Sequence, residues 1–124
     1  MNATLRRYAS AAVLQVSGRL DQDTCDGFRA ELMKHVEEAS RDDATVVLDL
    51  SGLEYISSAG LRCFMLASRE AKAQQARIYV AALQPMVAEI FEISHFNLIF
   101  RVFPSVRDAL AAVSPLAAAA YGTG

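Results

Sequence analysis

The run Ala44 to Leu50, ATVVLDL, constrains the fold of this chain more than any other stretch. Val46, Val47 and Leu48 are consecutive, so an extended segment here is apolar on both faces. Such a strand has to be covered above and below, as in a parallel sheet with helices on its two sides. The neighbouring segments supply those helices. Cys25, Phe28, Leu32 and Val36 recur at helical spacing, which predicts a one-sided helix that fades near Ala39-Ser40. A second helix is expected to begin near Ser58, with Leu61, Phe64, Met65 and Ser68 on one face and Gln74-Gln75 at its end.

The same reading extends along the chain. Thr4 to Ala9 and Ala11 to Ser17 read as short strands, the second broken by Ser17-Gly18-Arg19. Leu20 to Thr24 leads into the first helix with several candidate N-caps. Ser51 to Ile56 reads as a loop, and Ala76 to Leu83, ARIYVAAL, as a further buried strand. Pro85 suits the first turn of a third helix whose apolar stripe is Met86, Val87, Ile90 and Phe91. Leu98 to Phe103 reads as a last short strand. Pro104-Ser105 then opens a helix with Val106, Ala109, Leu110 and Val113 inward. Residues 114–124, ending in glycines, read as a mobile tail with Pro115 as a stop, which leaves residues 1–113 as one domain. Strands alternating with helices in this way predict an α/β domain with helices packed on a sheet.

Composition narrows the function classes. A chain of 124 residues can bury one core without disulfide or metal staples. Its net charge of −2, with arginines scattered along the chain, argues against a nucleic-acid partner. The N-terminus has no apolar stretch after Arg6-Arg7, and no run approaches the roughly 20 apolar residues of a membrane span. The expectation is therefore a cytoplasmic protein that does not insert into a membrane. Cys25 and Cys63 each fall on the apolar face of a predicted helix, so buried reduced thiols are expected, with a single disulfide as the alternative.

No GxxxxGK[ST] loop and no GxGxxG follows a strand, so neither nucleotide fingerprint is present. His35 and His95 are distant in sequence and make a poor metal set with two helical cysteines. No cofactor, metal or catalytic residue is assigned, and nothing positive points to an enzyme.

The most informative stretch is Leu48 to Arg62, LDLSGLEYISSAGLR. It leaves the buried strand and enters a helix, so it belongs at the carboxyl edge of the sheet, where open α/β sheets bind their ligands. Ser57 and Ser58 place hydroxyls at the start of that helix. Gly60 falls in its first turn, where alanine would favour helix by about 1 kcal/mol. A bare backbone there serves close packing or the close approach of a partner. Serine is also a favoured N-cap, so these residues alone leave cap and switch both open.

Asp49 to Leu61 resembles the strand–loop–helix signature of the STAS domain of bacterial anti-sigma factor antagonists. Ser17-Gly18-Arg19-Leu20-Asp21 is similar to that family's G-x-L-D segment. Phe91 to Phe96 with Ile99 to Leu110 is similar to its closing helix–strand–helix. The resemblance implies the STAS fold: a mixed, mostly parallel sheet of about five strands packed by about four helices. It also implies partner switching. The unmodified protein would bind an anti-sigma factor that is a serine kinase of the histidine-kinase-like ATPase fold. Phosphorylation would release it, and a PP2C-type phosphatase would reset the cycle. The family's phosphorylated serine matches Ser58, with Ser57 the second choice. The expected partner-binding set is Asp21, Asp23, Ser57, Ser58, Ala59, Gly60, Leu61 and Arg62. Ser57 stands where the family often has aspartate and Arg62 where it often has glycine, so this turn is locally more positive. The alternative function is a STAS scaffold without phosphorylation, serving a transport or other signalling complex.

Overall fold

The computed structural model describes residues 1–123. Strands β1 (Asn2–Tyr8) and β2 (Ala11–Leu20) form an antiparallel hairpin. Strands β3 (Thr45–Ile56), β4 (Arg77–Ala81) and β5 (Arg101–Phe103) then follow in parallel, giving the order β1-β2-β3-β4-β5. The antiparallel edge pair and the parallel remainder are the mixed sheet that the resemblance implied.

Helices cover both faces, as the triple-apolar core of β3 requires. On one face lie α1 (Cys25–Arg41), α2 (Ser58–Ala73) and α3 (Pro85–Ile93), over Leu14, Val46, Leu48 and Val80. Phe28, Phe64, Phe91 and Phe96 are almost fully buried there, and Phe64 meets each of the other three. On the other face, α4 (Val106–Val113) and α5 (Pro115–Thr123) pack over Val13, Val47 and Ala81. Val46 and Val47 thus serve opposite cores, which is why consecutive positions of this strand are apolar.

Four expectations are corrected. Ser17-Gly18-Arg19 does not end β2. The register shifts between Gln15 and Ser17 and again between Gly18 and Arg19, and the strand runs on to Leu20. Gly18 takes a positive φ of 100°, so the chain bulges where a residue with a side chain would be strained. Ser51 to Ile56 is strand as well, because the prolonged β2 offers it partners: Ser17 faces Gly52 and Leu20 faces Ile56. The inward stripe of α2 is Gly60, Cys63, Phe64, Ala67 and Ala71, with Leu61, Met65 and Ser68 only half-buried. Residues 115–123, read as a mobile tail, form α5, in which Ala117 is fully buried and Tyr121 meets Tyr8 edge-on at 5.3 Å. Pro115 opens that helix at its first position, where its missing N–H is not needed. Gly124 lies outside the described residues.

The cysteines also differ from expectation. Cys25 and Cys63 form a disulfide that ties the first residue of α1 to α2, with Cα atoms 5.9 Å apart. Cys63 is buried and Cys25 only half so. Two apolar helix faces that pack on the same sheet bring their cysteines together, and sequence spacing does not reveal that.

Candidate functional site

The pairing of β3 with β4 stops at Asp49 and Ala81, while its pairing with β2 continues to Ile56 and Leu20. A two-stranded arm therefore projects beyond the rest of the sheet at its carboxyl edge and carries the serine turn. Leu53 and Ile56 of this arm are buried. Gln84, before α3, donates from Nε2 to the Ser51 carbonyl at 2.8 Å and braces the arm's base.

The two serines have different surroundings. Ser57 is the N-cap of α2, and its Oγ accepts a hydrogen bond from the Gly60 N–H at 3.1 Å. Its own N–H donates to the Leu20 carbonyl at 3.0 Å, fastening the turn to the end of β2. Ser58 is the first helical residue, is exposed, and its hydroxyl has no hydrogen-bond partner among the described residues. The cap and switch readings, which the sequence left open for the pair, thus have separate candidates.

Gly60 is buried, and its bare backbone serves packing. A β-carbon there would overlap the Leu20 carbonyl oxygen and lie 3.0 Å from the carbonyl carbon and 3.1 Å from Ile56 Cγ1. Helix α2 therefore starts in direct contact with the end of β2.

Asp21 follows Leu20 and so stands beside the serine turn. Its Oδ1 accepts from the N–H groups of Asp23 at 3.0 Å and Thr24 at 3.2 Å. Thr24 Oγ1 in turn accepts from the Asp21 N–H at 3.0 Å and donates to the Arg19 carbonyl at 2.9 Å. Asp21 thereby shapes the entry to α1. Of the other expected residues, Asp23, Ser58 and Arg62 are exposed, whereas Ala59 and Leu61 are half-buried. Arg62 stands one turn beyond Ser58 on α2, at the i+4 spacing that lets side chains meet.

Two residues that the sequence reading did not single out border this surface. Arg19 lies over the Tyr55 ring, 4.3 Å from its centroid, across the β2–β3 arm. Only the pairing of Arg19 with Tyr55 brings them together. Arg19 stood in a segment read as a break and Tyr55 in one read as a loop, so no period marked them.

The STAS domain model matches residues 2–109 of this chain. BtrV of Bordetella bronchiseptica, which carries the name of an anti-sigma factor antagonist, is 37% identical over 112 residues, spanning 90% of this chain and 93% of BtrV. The chain belongs to the STAS-domain family of anti-sigma factor antagonists. Solved structures share the STAS fold. An anti-sigma factor antagonist from Mycobacterium paratuberculosis superposes with a TM-score of 0.73 at 22% identity, over 90% of this chain and 92% of that one. SpoIIAA in its unphosphorylated form gives 0.70 at 19% identity, over 90% and 96% of the two chains. Bacillus SpoIIAA in its phosphorylated form gives 0.65 at 18%, over 90% and 99%. No helix among the described residues of this STAS domain is long and apolar enough to cross a membrane.

Proposed function

We propose that this STAS domain is a partner switch, in which Ser58 is the phosphate acceptor and the unmodified serine turn docks an anti-sigma factor. The observation that carries the reading is the contrast between the serines. Ser57 is engaged as a cap, while Ser58 presents an exposed hydroxyl, unpartnered among the described residues, on a turn fixed to the end of β2. The names of BtrV and of the M. paratuberculosis structure support the partner class. The phosphorylated form of SpoIIAA supports a phosphate as the signal. In this reading the partner is a serine kinase of the histidine-kinase-like ATPase fold, a PP2C-type phosphatase restores the serine, and the exchange takes place in the cytoplasm.

The local physics dictates how a phosphate acts. It brings about −1.5 to −2 charges and three acceptor oxygens. The N–H groups of Ser58 and Ala59 have no partner within the helix, and the helix dipole favours an anion at that end. Arg62, one turn on, adds a cation of the right spacing. Phosphorylation therefore leaves α2 standing and works at the surface. It covers the docking turn with a bulky, solvated anion.

The test is to incubate the chain and its kinase with ATP and map the product by mass spectrometry. One phosphate is expected on Ser58, lost in Ser58→Ala and retained in Ser57→Ala. Labelling that survives in Ser58→Ala and disappears in Ser57→Ala would transfer the switch to the capping residue.

A further inference from the structure

Helix α2 runs back against the direction of β3, so its far end lies at the amino-terminal edge of the sheet. Fourteen residues separate Ser58 from Lys72, about 21 Å along the helix axis. At that far edge, the second half of α2, the start of β4 and the 3-10 turn Phe96–Leu98 enclose an open groove of about 560 Å³. Its floor is apolar, built from Met65, Ile78 and Phe100. Leu98 and Ile99 stand along one side, 78% and 55% exposed. Two adjoining apolar side chains in water beside an apolar trough are the kind of feature that marks a contact surface.

The charges around the groove have one sign. Arg69 and Lys72 line it, no acidic residue does, and neither cation has an ion pair among the described residues. Lys72 also complements the carbonyl end of α2, but Arg69 sits a turn earlier, where that effect has faded. On a chain of net charge −2, an apolar trough edged only by cations selects an occupant with apolar and acidic faces. The groove's shape separates two classes of such occupant. A lipid tail is held in an enclosed cavity, whereas Leu98 and Ile99 project outward and are covered only by a broad surface. A peptide segment supplies that surface.

We propose that this groove is a second docking site, taking an acidic amphipathic segment of a protein partner. It lies at the opposite edge of the sheet from the serine turn, so it stays available whether or not Ser58 carries a phosphate. The domain can then hold one partner while it exchanges another. This site stands on the groove's own geometry and does not depend on Ser58 being the phosphate acceptor.

The experiment is a selection of random peptides displayed on phage against the full chain, followed by binding measurements on the enriched peptides. Peptides rich in leucine and in aspartate or glutamate are expected, with methyl NMR shifts at Met65, Ile78, Leu98 and Ile99. The double variant Arg69→Glu/Lys72→Glu should weaken those peptides roughly tenfold or more, and a repeat selection on it should favour basic sequences. Both substitutions are on the surface, and Leu98→Ser provides a second variant that keeps the charges and removes the exposed apolar wall. Ser58→Asp should leave the affinity unchanged. Enriched peptides without an acidic excess, equal binding by the charge-reversed variant, or a loss of affinity in Ser58→Asp would each overturn the proposal. Shifts of the same methyls on addition of oleate, with no peptide enriched, would assign the groove to a lipid and overturn it too.

Discussion

Gly60 and Gly27 offer a matched test of how the serine turn is held. Each is the third residue of its helix, α2 and α1 respectively, so intrinsic helix preference acts on both alike. Replacing glycine by alanine within a helix gains about 1 kcal/mol at most. Their surroundings are opposite. Among the described residues a β-carbon on Gly27 meets nothing within 4 Å, whereas one on Gly60 overlaps the Leu20 carbonyl oxygen and crowds Ile56 Cγ1 at 3.1 Å. The carbonyl cannot retreat easily, because it accepts the Ser57 N–H at 3.0 Å and Leu20 itself is fully buried. Overpacking of this kind costs about 1–3 kcal/mol, and here the obstacle is backbone, which places Gly60→Ala at the upper end. The net expectation is a loss of about 2 kcal/mol for Gly60→Ala, or a fall in Tm of about 6–10 °C. Gly27→Ala should instead raise Tm by a few degrees, reflecting about 0.5–1 kcal/mol. Thermal unfolding followed by circular dichroism, checked by urea titration, reads both. A Gly60→Ala protein as stable as wild type would refute the claim that α2 is seated directly on the end of β2.

Other perturbations separate the remaining roles. Ser57→Ala removes the hydrogen bond to the Gly60 N–H and should cost about 1 kcal/mol by urea titration, while Ser58→Ala should change stability by less than about 0.5 kcal/mol. The Cys25–Cys63 bridge closes 38 residues, for which chain entropy gives about 4 kcal/mol as an upper figure. A reductant should therefore lower Tm in wild type and leave a Cys25→Ala variant unmoved. Truncation after Ser114 strips α5 from the sheet and uncovers apolar surface around Tyr8 and Val13. The shortened chain should unfold at lower urea concentration and bind more of a hydrophobic dye.

Much of the fold could be read from periodicity because its helices are one-sided and its central strand is apolar on both sides. Phe28, Leu32 and Val36 on α1, and Val106, Ala109 and Leu110 on α4, fall inward where their spacing puts them. What escaped depends on contacts between distant segments. Ser51 to Ile56 lacks strict alternation because β2 bulges beside it, so the segment is a strand only by virtue of its partner. Gly18 punctuates the chain, and sequence alone does not separate a bulge from an end. Residues 115–123 show no apolar stripe, and what α5 adds to the core is the small Ala117 and Ala118 and the ring of Tyr121. Within the site, the order of elements was enough to put the serine pair at the start of α2. Separating the cap from the exposed hydroxyl needed the Ser57 Oγ to Gly60 N–H bond. The stacking of Arg19 on Tyr55 follows from strand register, whereas Asp21 Oδ1 accepts from N–H groups two and three residues on, within its own turn.

A phosphate on Ser58 should change what this domain binds without changing its fold. The direct measurement is the affinity of the anti-sigma factor kinase for the chain bearing phosphoserine at position 58 only, against the unmodified chain, by titration calorimetry. Circular dichroism of both forms should accompany it. The expected result is an affinity reduced by about a hundredfold or more, equivalent to about 2.7 kcal/mol, with superimposable spectra and a Tm equal or slightly higher in the phosphorylated form. Equal affinities for the two forms, or a loss of affinity accompanied by unfolding of α2, would rule out a surface-carried switch at Ser58.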